Sequence, residues 1–171
     1  MSRWMLLAVP VLLAAGPASP NPVSGLAGRY YAQFADGTVT GEKYTGENVV
    51  EIVPVAANAA YVRAHLDFFN GHQCDIAGIA TSRGATLVYR DREAPLPGEP
   101  ACVLTVSHAG SSLKLDDGNR GCSTYCGARG SLTNMSVPFA SRRPIRYMPR
   151  LKASEQYRRA MTEWRTGKPA S

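Results

Sequence analysis

Residues 59–80, AAYVRAHLDFFNGHQCDIAGIA, leave this chain few ways to fold. Val62, Ala64, Leu66 and Phe68 alternate with Tyr61, Arg63, His65 and Asp67, a period of two that gives a strand one dry and one wet face. Beyond Phe69-Asn70-Gly71 the alternation resumes, with Cys74, Ile76, Gly78 and Ala80 as the dry set. The turn decides the register. A two-residue Asn-Gly turn would set Leu66 opposite Asp75 and His65 opposite Ile76, placing charge on the dry face. A three-residue loop lets Gly71 take the left-handed position of a bulged turn. Leu66 then faces Cys74, Ala64 faces Ile76 and His65 faces Asp75. A slip of one residue would turn over every side chain, so this second register is expected.

The same alternation runs through the neighbouring segments. Residues 28–34 set Tyr30, Ala32 and Phe34 against Arg29, Tyr31 and Gln33. Residues 48–55 offer Val50 and Ile52 inward, with Pro54 ending the strand or marking an edge. Residues 85–90, 101–107 (Cys102, Leu104, Val106), 111–117 (Leu113, Leu115) and 131–139 (Met135, Val137, Phe139) complete the set. A connection around Ala109-Gly110 would match Val106 with Leu113 and Leu104 with Leu115. Residues 35–47, with Asp36-Gly37, Gly41 and Gly46, read as turn-rich, and residues 91–100, with three prolines, as a surface loop. About eight short strands with no helix between them predict an all-β domain over residues 26–140. Its form is an antiparallel up-and-down barrel or sandwich followed by a C-terminal helix.

Ahead of the domain, Arg3 and the apolar run of residues 4–15 have the form of a signal peptide, 1–18, followed by a flexible Pro/Ser/Gly-rich lead, 19–25. No apolar run is long enough for a transmembrane segment in the mature chain. Periplasmic or secreted localisation follows, and the four cysteines, Cys74, Cys102, Cys122 and Cys126, form an even set suited to two disulfides in that compartment. Zinc is disfavoured, because Cys-x3-Cys has no second close pair and no nearby histidine. Strand order gathers all four cysteines at one end of the barrel. Proximity favours Cys74–Cys102 with Cys122–Cys126 and leaves Cys102–Cys122 with Cys74–Cys126 open.

The charge is lopsided. The chain carries a net +6, yet residues 142–171 hold nine of the 19 basic and only two of the 13 acidic side chains. A basic connector, 141–149, leads into residues 150–166, where Ala153, Tyr157, Ala160, Met161 and Trp164 recur on one helical face. Pro149 near the start and Gly167 past the end bound that amphipathic helix, leaving a short tail, 167–171. Glu155 stands one turn from Arg158 and Arg159, its expected ion-pair partners.

Chemistry-bearing patterns are sparse. No nucleophile elbow, zinc-protease motif or phosphate-cradling glycine loop is present, so no catalytic residues are assigned and the domain is read as non-enzymatic, without a cofactor. His108 beside Ser107 reads as a hairpin-tip residue. His65, Asp67 and Asp75 share the wet face of the central hairpin and are weak candidates for a metal or an enzymatic acid–base pair. A cross-strand charge pair is the simpler expectation there. Asp116-Asp117-Gly118-Asn119 has the composition of a calcium loop but not its ligand spacing. Arg142, Arg143, Arg146, Arg150, Arg158, Arg159 and Arg165 form a candidate binding surface for an anionic envelope component or an acidic protein. Nucleic acid is disfavoured by export. Tyr30, Phe34, Phe68 and Tyr89 are candidates to line a cavity for a small apolar ligand, or else to fill the barrel.

Gly28-Arg29-Tyr30 at the head of the first strand resembles the G-x-W/Y opening of lipocalin-type barrels. Cys122–Gly130, CSTYCGARG, following a C-x-L-x-V strand, is similar to small exported bacterial proteins of unassigned function, whose build some periplasmic lysozyme inhibitors share. The resemblance spans residues 28–139 and leaves the basic helix outside it. It implies an exported, disulfide-bonded barrel that binds rather than catalyses, either inhibitor-like at its surface or carrier-like in its interior.

Overall fold

A computed structural model describes residues 21–169, apart from residues 96 and 119. The expected signal peptide lies outside the described residues. Eight antiparallel strands follow one another up and down in one sheet. They are β1 (Gly28–Gly37), β2 (Lys43–Ala56), β3 (Ala59–Phe68), β4 (His72–Arg83), β5 (Thr86–Arg90), β6 (Val103–Ala109), β7 (Ser112–Asp116) and β8 (Met135–Pro138). The sheet curls into a nearly closed barrel. Across the seam between β8 and β1, the chain beyond β8 supplies the missing bonds. Arg29 and Arg143 exchange backbone N–H···O bonds of 2.8 Å, and the Tyr31 N–H donates to Ser141 Oγ at 3.1 Å. The exposed edge that an open meander would leave is thereby covered.

The central hairpin has the expected register, with Leu66 opposite Cys74, Ala64 opposite Ile76 and His65 opposite Asp75. Gly71 is left-handed, and so is Asn70, whose short amide side chain tolerates that conformation. Most of the inward set is dry: Tyr30, Val50, Ile52, Leu66, Leu104, Val106, Leu113 and Leu115 are almost wholly inaccessible. Each large apolar side chain so buried contributes roughly 1.5–3 kcal/mol.

Both mouths of the barrel are stoppered. At one, α1 (Pro22–Gly25), capped by Asn21 through its side chain to the Val23 N–H, lowers Val23 and Leu26 onto the core. Residues 21–25 are therefore a docked helical turn and not a flexible lead, because two apolar side chains gain burial there. At the other mouth, the segment after β7 folds over the end with Cys122 and Leu132 buried. Asp117 pins it by accepting from the Cys122 N–H (3.1 Å) and the Thr133 hydroxyl (2.6 Å).

The disulfides are Cys74–Cys126 and Cys102–Cys122, both at that second mouth. The pairing favoured by proximity, Cys74–Cys102 with Cys122–Cys126, is corrected. β4 pairs with β3 along its whole length but with β5 only at Thr81–Arg83, so the wall gapes beside the start of β4. The 122–127 segment fills that gap, bridging Cys74 to Cys126 and bonding the Gly127 N–H to Gln73 O at 2.8 Å.

Two strand boundaries and one register also differ from expectation. β1 and β2 extend to Gly37 and back to Lys43 through what reads as turn-rich sequence. Gly46 lies within β2 because a Cβ there would sit 2.6 Å from the Phe34 ring. Pro54 falls at an edge, beyond the last β1 partner at Ile52 and beside a bulge. In the β6–β7 hairpin Val106 faces Leu115 and His108 faces Leu113, a shift of two residues. His108 belongs to β6, and its ring stacks on Phe139 at 3.7 Å. The last strand is also shorter than expected, four residues, with Phe139 turning into the seam.

The C-terminal helix is two helices, α2 (Met148–Ala153) and α3 (Glu155–Thr166). Ser154 breaks the run because its hydroxyl accepts from the Tyr157 N–H as an N-cap. Gly167 ends α3 in the left-handed conformation. The pair docks on the outer wall, where Leu151, Tyr157 and Ala160 join Val53, Tyr61 and Ile79 in a second apolar cluster. Tyr61, expected on a wet face, is fully buried there, with its ring 4.9 Å from that of Tyr157. Ala153 is exposed, so the docking face turns slightly from the expected one.

Candidate functional site

The outer wall under and beside α3 carries the polar chemistry. Outward positions of β2, β3 and β4 place Glu51, Arg63, His65, Asp67 and Asp75 side by side. Glu51 is only 2% exposed and is held by Arg63 (Nη1–Oε2, 3.3 Å) and by the Tyr147 hydroxyl, which donates to Oε1. Burial and the carboxylate next to it push the Tyr147 phenol above its usual pKa. Arg63 also reaches Asp75 at 3.6 Å.

His65, Asp67 and Asp75 do meet, as the strand pattern predicts. Asp75 lies 3.2 Å from Nδ1 and Asp67 3.6 Å from Nε2. The two carboxylates therefore occupy opposite nitrogens of the ring, where they cannot converge with it on one cation. Among the described residues, no group of three or more His, Cys, Asp or Glu side chains is arranged to hold a metal ion.

Where β4 parts from β5, a groove of about 480 Å³ opens between α3, the 91–100 loop and the disulfide-tied turn. Tyr89 and Tyr125 form part of its wall, both hydroxyls pointing at Asp91 (3.4 and 2.6 Å). Burial, first of all, raises the pKa of each phenol. Glu93, Glu99, Glu163 and Asp75 line the rest, and Arg159 crosses it, from Glu163 (2.9 Å) to Glu93 (2.7 Å). Arg159 thus pairs away from Glu155, and Arg158 donates to Ala153 O. Sequence reasoning did not assemble this groove. Asp91, Glu93 and Glu99 are scattered in the sequence between Arg90, Arg92 and a proline-rich stretch, and only the gap in the wall brings α3 and Tyr125 to them.

The candidate basic surface divides. Arg142 and Arg143 are structural: Arg142 donates to Gly25 O (2.6 Å) and lies over the Phe139 ring, and Arg143 closes the seam. Arg146, Arg150, Arg158 and Arg165 are exposed on the docked arm, as is Lys152. Among the described residues no carboxylate lies within ion-pair distance of them.

Of the cavity candidates, Tyr30 is fully buried, its hydroxyl bonded to Leu26 O at 2.9 Å, and Tyr89 plugs the wall against Gly78. Phe34 and Phe68 lie partly exposed near the disulfide-clipped mouth. The 480 Å³ groove, by contrast, lies on the outside of the barrel against α3.

An eight-stranded up-and-down barrel, clipped by two disulfides and bearing a cationic helical arm on its wall, is the class these features define. The chain matches no family model, no curated protein and no solved structure. Two disulfides fit an oxidising environment. Among the described residues no helix is long and apolar enough to cross a membrane.

Proposed function

We propose that this chain is a non-enzymatic binding domain of the bacterial envelope, periplasmic or secreted, that contacts an anionic envelope component or an acidic protein through its C-terminal arm. One observation carries the reading. Arg146, Arg150, Arg158 and Arg165 stand exposed, with no carboxylate partner among the described residues, on a segment that Leu151, Tyr157 and Ala160 fasten to the barrel. Cations held on a fixed backbone lose less freedom on binding than cations on a loose tail, so more of their attraction remains as affinity. The carrier reading finds less support, since a ligand cavity would expose its walls and Tyr30, Ile52, Leu66, Leu104, Leu113 and Leu115 fill the interior without being accessible.

The test is binding of the mature chain to dextran sulfate and to phosphatidylglycerol vesicles across a salt series. Replacing Arg146, Arg150, Arg158 and Arg165 together by Gln should weaken binding by on the order of tenfold or more and flatten its salt dependence. Unchanged binding by a folded quadruple variant would refute the reading.

A further inference from the structure

Given that the arm is the contact surface, as proposed above, we infer that its partner is an acidic polysaccharide, laid as an extended strand along the outward face of α3. Tyr157 and Ala160 turn one side of α3 to the barrel. At i, i+4 and i+7 on the opposite side stand Arg158, Thr162 and Arg165, all exposed, the two arginines about 10 Å apart along the axis. That side borders a recess of about 610 Å³ shared by Arg158, Thr162, Thr166 and Lys168. Gly167, left-handed, turns the chain there, and the Lys168 N–H donates to Thr166 Oγ1 at 3.3 Å, which holds Lys168 at the edge of the recess. Of the other charges on its walls, Arg159 is engaged by Glu163 and Glu93, and Glu155 stands at one end. Among the described residues no carboxylate lies within ion-pair distance of Arg158, Arg165 or Lys168.

A bilayer takes up a surface helix through its apolar side, and here that side lies against the barrel. A folded acidic protein needs a desolvated centre rich in aromatic or aliphatic side chains, whereas the exposed members of this face are Glu155, Arg158, Thr162, Arg165 and Thr166. These five also offer no ring on which the bases of a single-stranded nucleic acid could stack. An acidic polysaccharide asks only for what is present. Its carboxylates or sulfates stay hydrated and are met by the planar forks of the guanidinium groups, and its hydroxyls by Thr162 between the two arginines.

The experiment is calorimetric titration of the mature chain with polygalacturonate at low salt, with phosphatidylglycerol vesicles and serum albumin as comparisons. Per anionic group, polygalacturonate should bind at least about tenfold more tightly than either. Arg158→Gln with Lys168→Gln should weaken polysaccharide binding roughly 10-fold, and Glu155→Gln should tighten it roughly 2-fold. Arg83→Gln with Lys114→Gln removes as much charge from exposed positions off the arm and should change it less than about 2-fold. Equal losses from the two folded double variants would mean that net charge alone does the binding, and equal or tighter binding of vesicles or serum albumin would mean a different partner. Either result overturns the inference. The arm reading itself fails by a separate result, binding to every one of these anions unchanged when Arg146, Arg150, Arg158 and Arg165 are replaced together.

Discussion

Removing one oxygen, in Tyr147→Phe, should measurably loosen the arm from the barrel. The phenol donates to Oε1 of Glu51, a carboxylate only 2% exposed that water does not readily reach. Phenylalanine keeps the ring beneath Arg150 but leaves that oxygen without its donor, while Arg63 still holds the other. A hydrogen bond to a buried charge contributes about 1.5–3 kcal/mol. For a domain of this size each kcal/mol moves the melting temperature by about 2–4 °C, so a fall of about 3–12 °C is expected. Thermal unfolding followed by circular dichroism at pH 7 measures it. A double-mutant cycle with Glu51→Gln should show a coupling of at least about 0.5 kcal/mol. The pH dependence has a definite sign. The folded state holds the phenolic proton more tightly than the unfolded state, first through burial and then through Glu51. Its contribution is therefore complete below about pH 10 and is lost as the pH rises through the folded value, a loss the variant should lack. A melting point within about 1 °C of the parent, with no coupling, would refute the reasoning.

Gly78→Ala should destabilise the barrel by about 1–3 kcal/mol, since the new methyl would stand 2.0 Å from the buried Tyr89 ring. Equilibrium urea unfolding checks this, and a neutral result would mean the ring is free to move aside. Replacing Cys74 and Cys126 together by Ser opens a link between residues 52 apart and should cost about 4 kcal/mol, read by the same method. In an alkaline titration followed by phenolate absorbance, Tyr61, Tyr89 and Tyr125 should ionise well above the ordinary value of about 10, and only as the chain unfolds. Burial is the leading cause of all three shifts. All the tyrosines ionising together near pH 10 in folded protein would contradict their placement.

The central hairpin was legible because its alternation of charge and apolar groups forbids a one-residue slip. The β6–β7 hairpin was not, for the complementary reason. Sliding it by two residues exchanges Leu113 for Leu115 opposite Val106 and keeps every side chain on its own face, so the pattern allows both registers. The disulfide pairing turned on the gap between β4 and β5, where the 122–127 segment takes the free edge of β4, a tertiary event without a local sequence sign. Tyr61 shows the same limit. Alternation assigns it to the outer face correctly but says nothing of the helix that later covers that face. The break at Ser154 was readable as a serine N-cap followed by Glu155, a local signal that the longer helical period overrode. The basic residues were all visible in the sequence. Which of them serve the fold, as Arg142 and Arg143 do, depends on where the seam of the barrel falls.

The proposed arm requires α3 to be fastened to the barrel wall in the free protein. Amide hydrogen exchange across Tyr157–Glu163, measured without any partner, tests this most directly. The account predicts protection there well above that of an isolated twelve-residue helix, falling in Tyr157→Ala as the apolar cluster is lost. Exchange at the rate of unstructured chain, unchanged by that substitution, would contradict it.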